Sequence, residues 1–183
     1  MQKLKLIILD RDGVINKDRD DYVKSVDEWE PIPQSIEAIA LLTQGGYQVV
    51  VATNQSGIGR KFYTMHDLNE MHSKMHRLVK QQGGKISGIW FCPHTDADNC
   101  RCRKPKPGMI EDILERFDVN AEEVILVGDS LRDLQAIDVL GGKPFLVCTG
   151  KGKKTLASGN LPSGTQIFDN LYAVAEHLSL DSD

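Results

Sequence analysis

The chain has no long hydrophobic run, no internal repeat and no low-complexity tract. Its apolar stretches are strand-sized, well short of the roughly 20 residues that a bilayer-crossing helix needs, so no membrane span is expected. An apolar stretch begins by Leu4, which leaves no room for a signal peptide, and the expected compartment is the cytoplasm. Basic residues are outnumbered: 22 Lys and Arg against 26 Asp and Glu leave a net charge of −4, a field that repels polyanions. That counts against a nucleic-acid partner and leaves room for a local site for a small anion. Cysteine is sparse at four residues, and in a reducing compartment these read as metal ligands or buried thiols rather than disulfides.

What is present is enough for one domain, expected to span residues 1–183 with a core that needs no covalent staples. Apolar runs at 4–9, 47–53, 86–91, 124–127 and 144–148 alternate with helical spacing. The helices run from Ser35 to Gly45, from Thr64 to Gly83, from about Gly108 to Phe117, through Leu134 to Leu140, and through Leu171 to Leu178. Strands alternating with helices predict an α/β fold, a doubly wound parallel sheet of Rossmann-like type. Thr64 and Asp67 have the spacing of a capping box. On the helix that follows, Met71 and Met75 read as a core stripe, with His72 and His76 at its flank. The polar segment 16–33 reads as a loop or small flap, and the basic run Gly150–Lys154 as a solvated loop.

The first strand stops at Asp10-Arg11-Asp12-Gly13, two carboxylates at i and i+2. Alone, such a pair also fits a turn or a helix cap. The second strand, however, ends at Thr53-Asn54-Gln55-Ser56-Gly57, and the fourth at Gly128-Asp129-Ser130-Leu131-Arg132-Asp133. Parallel strands bring these tips to one edge, where open α/β sheets bind ligands. Unpaired acids crowded there repel one another, and a divalent cation relieves the conflict; Mg²⁺ suits a few carboxylates supplemented by water and phosphate. One carboxylate can serve as a covalent nucleophile toward phosphorus and the other as acid and then base.

D-x-D-G-x-I, T-N-Q-S-G, a lysine ahead of a helix and G-D-x-x-x-D, in that order along nearly the whole chain, resemble the haloacid dehalogenase superfamily of phosphatases. The resemblance implies Mg²⁺-dependent phosphomonoester hydrolysis without a separate cap domain. Asp10 would be the nucleophile, Asp12 the acid/base, Thr53 a phosphoryl holder and Lys104 a charge stabiliser. Asp10, Asp129 and the backbone carbonyl of Asp12 would hold Mg²⁺, with Asp133 either orienting metal-bound water or pairing with a neighbour. Lys106 is the rival for the lysine role, but the R-K-P-x-P-G pattern favours Lys104.

Cys92, His94, Cys100 and Cys102 offer three thiolates and an imidazole within eleven positions, a closed zinc set without an open coordination place. They sit in a loop, 92–105, that has no hydrophobic periodicity to fold it, and Arg103 and Lys104 follow the last ligand directly. This C-P-H…C-x-C-R-K-P block resembles one branch of the superfamily, the heptose bisphosphate phosphatases, with the histidinol-phosphate phosphatases as near kin. The heptose branch implies removal of the 7-phosphate of D-glycero-D-manno-heptose 1,7-bisphosphate, a step toward ADP-heptose for lipopolysaccharide. Substrate contacts are then expected from Asp18, Tyr22, Asn54, Gln55, Ser56, Arg60 and Arg103, with Lys151, Lys153 or Lys154 as further candidates for a second phosphate. The expected partner is a small phosphorylated sugar, with no nucleic acid or membrane, and the chain is expected to act as a monomer. Histidinol phosphate is the alternative substrate. A receiver-like, non-enzymatic phospho-acceptor is the alternative of another class, and the net acidity argues against a DNA-end phosphatase.

Overall fold

In the computed structural model, which describes residues 4–180, six parallel strands form one sheet in the order β3-β2-β1-β4-β5-β6. The strands are β1 (Lys5–Leu9), β2 (Tyr47–Asn54), β3 (Ile86–Cys92), β4 (Ile125–Gly128), β5 (Lys143–Val147) and β6 (Gln166–Phe168). The helices are α1 (Ser35–Gln44), the single turn α2 (Ser56–Gly59), α3 (Met65–Gln81), α4 (Gly108–Phe117), α5 (Leu131–Asp138), α6 (Gly152–Ser158) and α7 (Leu171–Leu180). The three residues at each end of the expected 1–183 unit lie outside the described residues.

The strand pattern explains the layers. On β1, Ile7 and Leu9 face one way and join α1, α3 and α7 through Ile39, Met71, Met75 and Val174. Leu6 and Ile8 face the other way, against Met109, Ile110 and Ile113 of α4 and Ala136 and Ile137 of α5. Both faces of the central strand are therefore buried, which is why it reads as a continuous apolar run. The expected capping box forms: Asp67 N–H donates to Thr64 Oγ1 at 3.2 Å, and Thr64 N–H donates to Asp67 Oδ2 at 2.7 Å. Among the described residues no helix is long and apolar enough to cross a membrane.

Three expectations are corrected. The basic run after β5 enters a helix, α6, rather than remaining a loop, and β6 adds a sixth strand beyond it. Cys148 lies just past β5 and is half-buried rather than enclosed. Segment 16–33 is the expected loop, and it is anchored: Val23 and Trp29 are buried in the core, and Lys74 Nζ donates to the carbonyls of Val26 and Trp29 at 3.0 and 2.7 Å.

Candidate active site and metal centre

The sheet order reverses direction between β1 and β4, and the crevice beyond their carboxyl ends is where such folds bind ligands. Asp10 follows β1 directly, its N–H still bonded to Val127 O of β4 at 2.9 Å, and Asp129 follows β4. Carboxylate oxygens of Asp10, Asp129 and Asp133 gather within 4.8 Å of one another. The approach depends on two glycines: a Cβ on Gly13 (φ +84°) would sit 2.0 Å from Asp129 Oδ2, and one on Gly150 (φ +54°) 2.3 Å from the same oxygen.

Burial, reinforced by the charge of Asp133 and opposed by Lys104, pushes the Asp10 carboxyl up to about 7. Burial and the charges of Asp10 and Asp133 push Asp129 up to about 8. Two carboxyls held off ionisation by burial and by neighbouring acids fit a site built around a divalent cation. Asp133 spends its oxygens within the protein: Oδ1 pairs with Lys104 Nζ at 2.7 Å, and Oδ2 accepts from Ser130 N–H at 3.2 Å and Oγ at 2.9 Å. Of the two roles left open for it, pairing with a neighbour is what the geometry gives.

Lys104 is buried, with Nζ 3.1 Å from Asp10 Oδ1 and 2.6 Å from Ala52 O. Burial works against its charge, but Asp10 and Asp133 overcome it and raise its pKa. Its rival, Lys106, bonds Asn99 Oδ1 at 2.6 Å, away from the carboxylates. Asn54 lines the cavity and also grips the lysine's backbone. Its Nδ2 donates to Lys104 O at 3.0 Å and its Oδ1 accepts Lys104 N–H at 3.1 Å.

Asp12 behaves differently from Asp10. Burial pushes its carboxyl up, yet the Arg11 charge and hydrogen bonds from Asn16, Arg11 and Gln55 hold it below the usual range. Gln55 Nε2 donates both to Asp12 Oδ2 and to Thr53 Oγ1, each at 2.9 Å, which ties the second strand tip to the first. Thr53 is buried behind it.

A cavity of about 170 Å³ opens over these groups, lined in part by Asp10, Asp12, Asp18, Tyr22, Asn54, Gln55, Ser56, Arg103, Lys104 and Asp129. Arg60 is exposed and does not line it. Arg19, Arg132 and Lys151 do, and only Lys151 was singled out in the sequence. Arg132 had no signal beyond standing inside G-D-x-x-x-D, where the acids of its neighbours keep it charged against burial. Lys151 N–H donates to Asp129 Oδ2 at 2.8 Å while its Nζ lies 3.5 Å from Asp18 Oδ2. Arg103 lines the same cavity, its Nε donating to Asp96 Oδ1 at 2.6 Å and its buried Nη1 without a partner.

The four zinc-ligand candidates also gather, all within 4.8 Å. Cys92 Sγ lies 3.1 Å from Cys102 Sγ and 3.6 Å from Cys100 Sγ, and His94 Nδ1 is 3.3 Å from Cys102 Sγ. Tetrahedral bonds of about 2.0–2.3 Å imply ligand separations near these values, so the set fits zinc. Burial would raise the Cys100 thiol, but the Arg103 N–H and the neighbouring thiols bring it down to about 7.

Residues 5–141 match the family model of haloacid dehalogenase-like hydrolases. A protein of Neisseria meningitidis named D-glycero-beta-D-manno-heptose-1,7-bisphosphate 7-phosphatase is 69% identical over 96% of this chain and 95% of its own length. A Bordetella bronchiseptica protein of the same name is 55% identical, covering 96% and 98%. The crystal structure of D,D-heptose 1,7-bisphosphate phosphatase from B. bronchiseptica, complexed with magnesium and phosphate, superposes with a TM-score of 0.96 at 54% identity, covering 97% of this chain and 99% of that one. The corresponding phosphatase from Burkholderia thailandensis gives a TM-score of 0.76 at 50% identity, covering 94% and 97%.

Proposed function

We propose a function on one premise: this chain belongs to the haloacid dehalogenase-like hydrolase family. It is a phosphatase that removes the 7-phosphate of D-glycero-D-manno-heptose 1,7-bisphosphate, the activity that relatives at 51–69% identity carry in their names. The same relatives bring over the β anomer. The observation that carries the reading is the meeting of Asp10, Asp129 and Lys104 at the switch point, with Asp12 beside them.

In the first step an Asp10 carboxylate oxygen attacks the 7-phosphorus, and the bond from phosphorus to sugar O7 breaks. Asp12, ionised in the free site, takes up a proton as substrate binds and gives it to O7, leaving the sugar alcohol and an aspartyl phosphate on Asp10. In the second step Asp12 takes a proton from water as the water oxygen attacks phosphorus. The Asp10–phosphorus bond breaks, releasing inorganic phosphate and the free carboxylate. Lys104 Nζ offsets charge on the phosphoryl oxygens and Thr53 Oγ1 holds one of them. Mg²⁺, held by Asp10, Asp129 and the Asp12 carbonyl, would supply further neutralisation of that charge.

Zinc at Cys92, His94, Cys100 and Cys102 would fix the loop that delivers Arg103 and Lys104, a structural and not a chemical part. Thiolates awaiting a metal suit a reducing compartment, and the cytoplasm is the place proposed for the work. Arg103, with its unpartnered Nη1, is proposed to hold the 1-phosphate. Asp18, Tyr22, Gln55 and Ser56 remain the proposed neighbours of the sugar. The proposed catalytic groups all come from one chain, so a monomer suffices, and the 1-phosphate left on the product suits later nucleotidyl transfer toward ADP-heptose.

Cations that line the cavity, namely Arg19, Arg103, Arg132 and Lys151, favour an anionic second group over the amine of histidinol phosphate. Comparing kcat/KM on the two substrates tests this. A higher value on histidinol phosphate would overturn the substrate choice.

A further inference from the structure

Arg11 stands between the two aspartates in sequence, is fully buried and does not line the cavity. A buried guanidinium is costly unless its N–H groups are paired, so its partners are informative. Nε and Nη2 both donate to Asp12 Oδ1, at 3.2 and 2.9 Å, and Nη2 also reaches Gln55 Oε1 at 3.5 Å. Nη1 lies 3.2 Å from Nε2 of His72, a buried residue of α3 that the proposed chemistry leaves unused. Arginine only donates, so His72 Nε2 is the acceptor and its proton sits on Nδ1. Burial and the Arg11 charge push His72 down to about 3, in keeping with a neutral imidazole.

The Asp12 carboxyl is therefore held asymmetrically. Oδ1 takes three donors, the two from Arg11 and Asn16 Nδ2 at 2.8 Å, whereas Oδ2 takes one, Gln55 Nε2 at 2.9 Å. An aspartate has a broad, two-fold χ2, so its partners alone decide which oxygen is which.

We propose that Arg11 and His72 are positioning residues that lock the Asp12 carboxyl so that Oδ2 carries the proton exchanged with the leaving oxygen and the attacking water. This rests on the acid/base role proposed for Asp12 above. As the phosphorus–O7 bond breaks, the Oδ2–H proton passes to O7; in hydrolysis Oδ2 takes one proton back from water. His72 fixes the far nitrogen of the guanidinium and Arg11 saturates Oδ1, which leaves Oδ2, with Gln55 Nε2 as its single donor, to exchange the proton.

The test uses leaving groups. A sugar alkoxide needs the proton, whereas p-nitrophenolate leaves without it. In the Mg²⁺-loaded enzyme, His72→Leu and Arg11→Met are expected to lower kcat/KM on the heptose bisphosphate about 10²-fold while changing it less than about threefold on p-nitrophenyl phosphate. His72→Gln, which keeps an acceptor, is expected to recover most of the loss. The His72 pair decides the matter where Arg11→Met does not fold. Equal losses on both esters, or none on either, would overturn the proposal. Asp12→Asn separates the two levels: if it shows no selective loss, the acid/base reading falls and this proposal with it. If it does and His72→Leu does not, the proposal falls alone.

Discussion

Lys104 Nζ sits 3.1 Å from Asp10 Oδ1 with both side chains buried, although 94 residues separate them in the chain. Asp133 holds the lysine from the other side at 2.7 Å, and Asn54 pins its backbone. The ammonium is thus fixed before any substrate arrives, so its charge is available without reorganisation. Lys104→Met is expected to lower kcat/KM by about 10²–10³-fold with Mg²⁺ present, measured by phosphate release. A loss below tenfold would contradict the role.

The acid cluster predicts a pH dependence for metal-free protein. Asp10 and Asp129 are pushed up to about 7 and about 8, above the value of 3.8 that holds in an unfolded chain. The folded state therefore binds more protons across that window. Stability from these groups is greatest at low pH and is lost as pH rises toward 8. Mg²⁺ competes with those protons, so the increase in Tm on adding it should grow between about pH 6 and about pH 8. Melting curves with and without Mg²⁺ check this; an increment independent of pH would count against the site.

Much of this site was legible because a carboxylate that ends an apolar run is forced to a strand tip. Asp10 and Asp129 follow from that rule, and the four zinc-ligand candidates from local spacing alone. Contacts built by tertiary packing were not legible. His72 meets Arg11 across 61 residues and looks in sequence like the flank of a core stripe. Asn54, which lines the cavity, also bonds a backbone carbonyl 50 residues away. Lys151 reaches Asp129 through its N–H, which no side-chain pattern reports. The three-residue strand β6, with Gln166 and Ile167 exposed, is too short to carry a periodicity.

The thiol cluster predicts tightly held metal. Protein dialysed against EDTA should retain about one zinc per chain by elemental analysis. Cys102→Ser should lose it, and with it activity, since the loop no longer presents Arg103 and Lys104. A fully active chain without zinc would remove the metal from the account.

Arg103→Ala tests the second phosphate. Losing a charge-assisted hydrogen bond costs about 1.5–3 kcal/mol, so KM for the bisphosphate should rise roughly 10- to 100-fold. Hydrolysis of a monophosphate lacking the second group should change little. Equal effects on both would instead point to a disturbed Lys104.

The most direct measurement follows both phosphates of heptose 1,7-bisphosphate by ³¹P NMR during turnover. The 7-phosphate signal should convert to inorganic phosphate while the 1-phosphate signal persists, and Asp10→Asn should abolish the conversion. Loss of the 1-phosphate first, or turnover by Asp10→Asn at the unmodified rate, would contradict the proposed reaction.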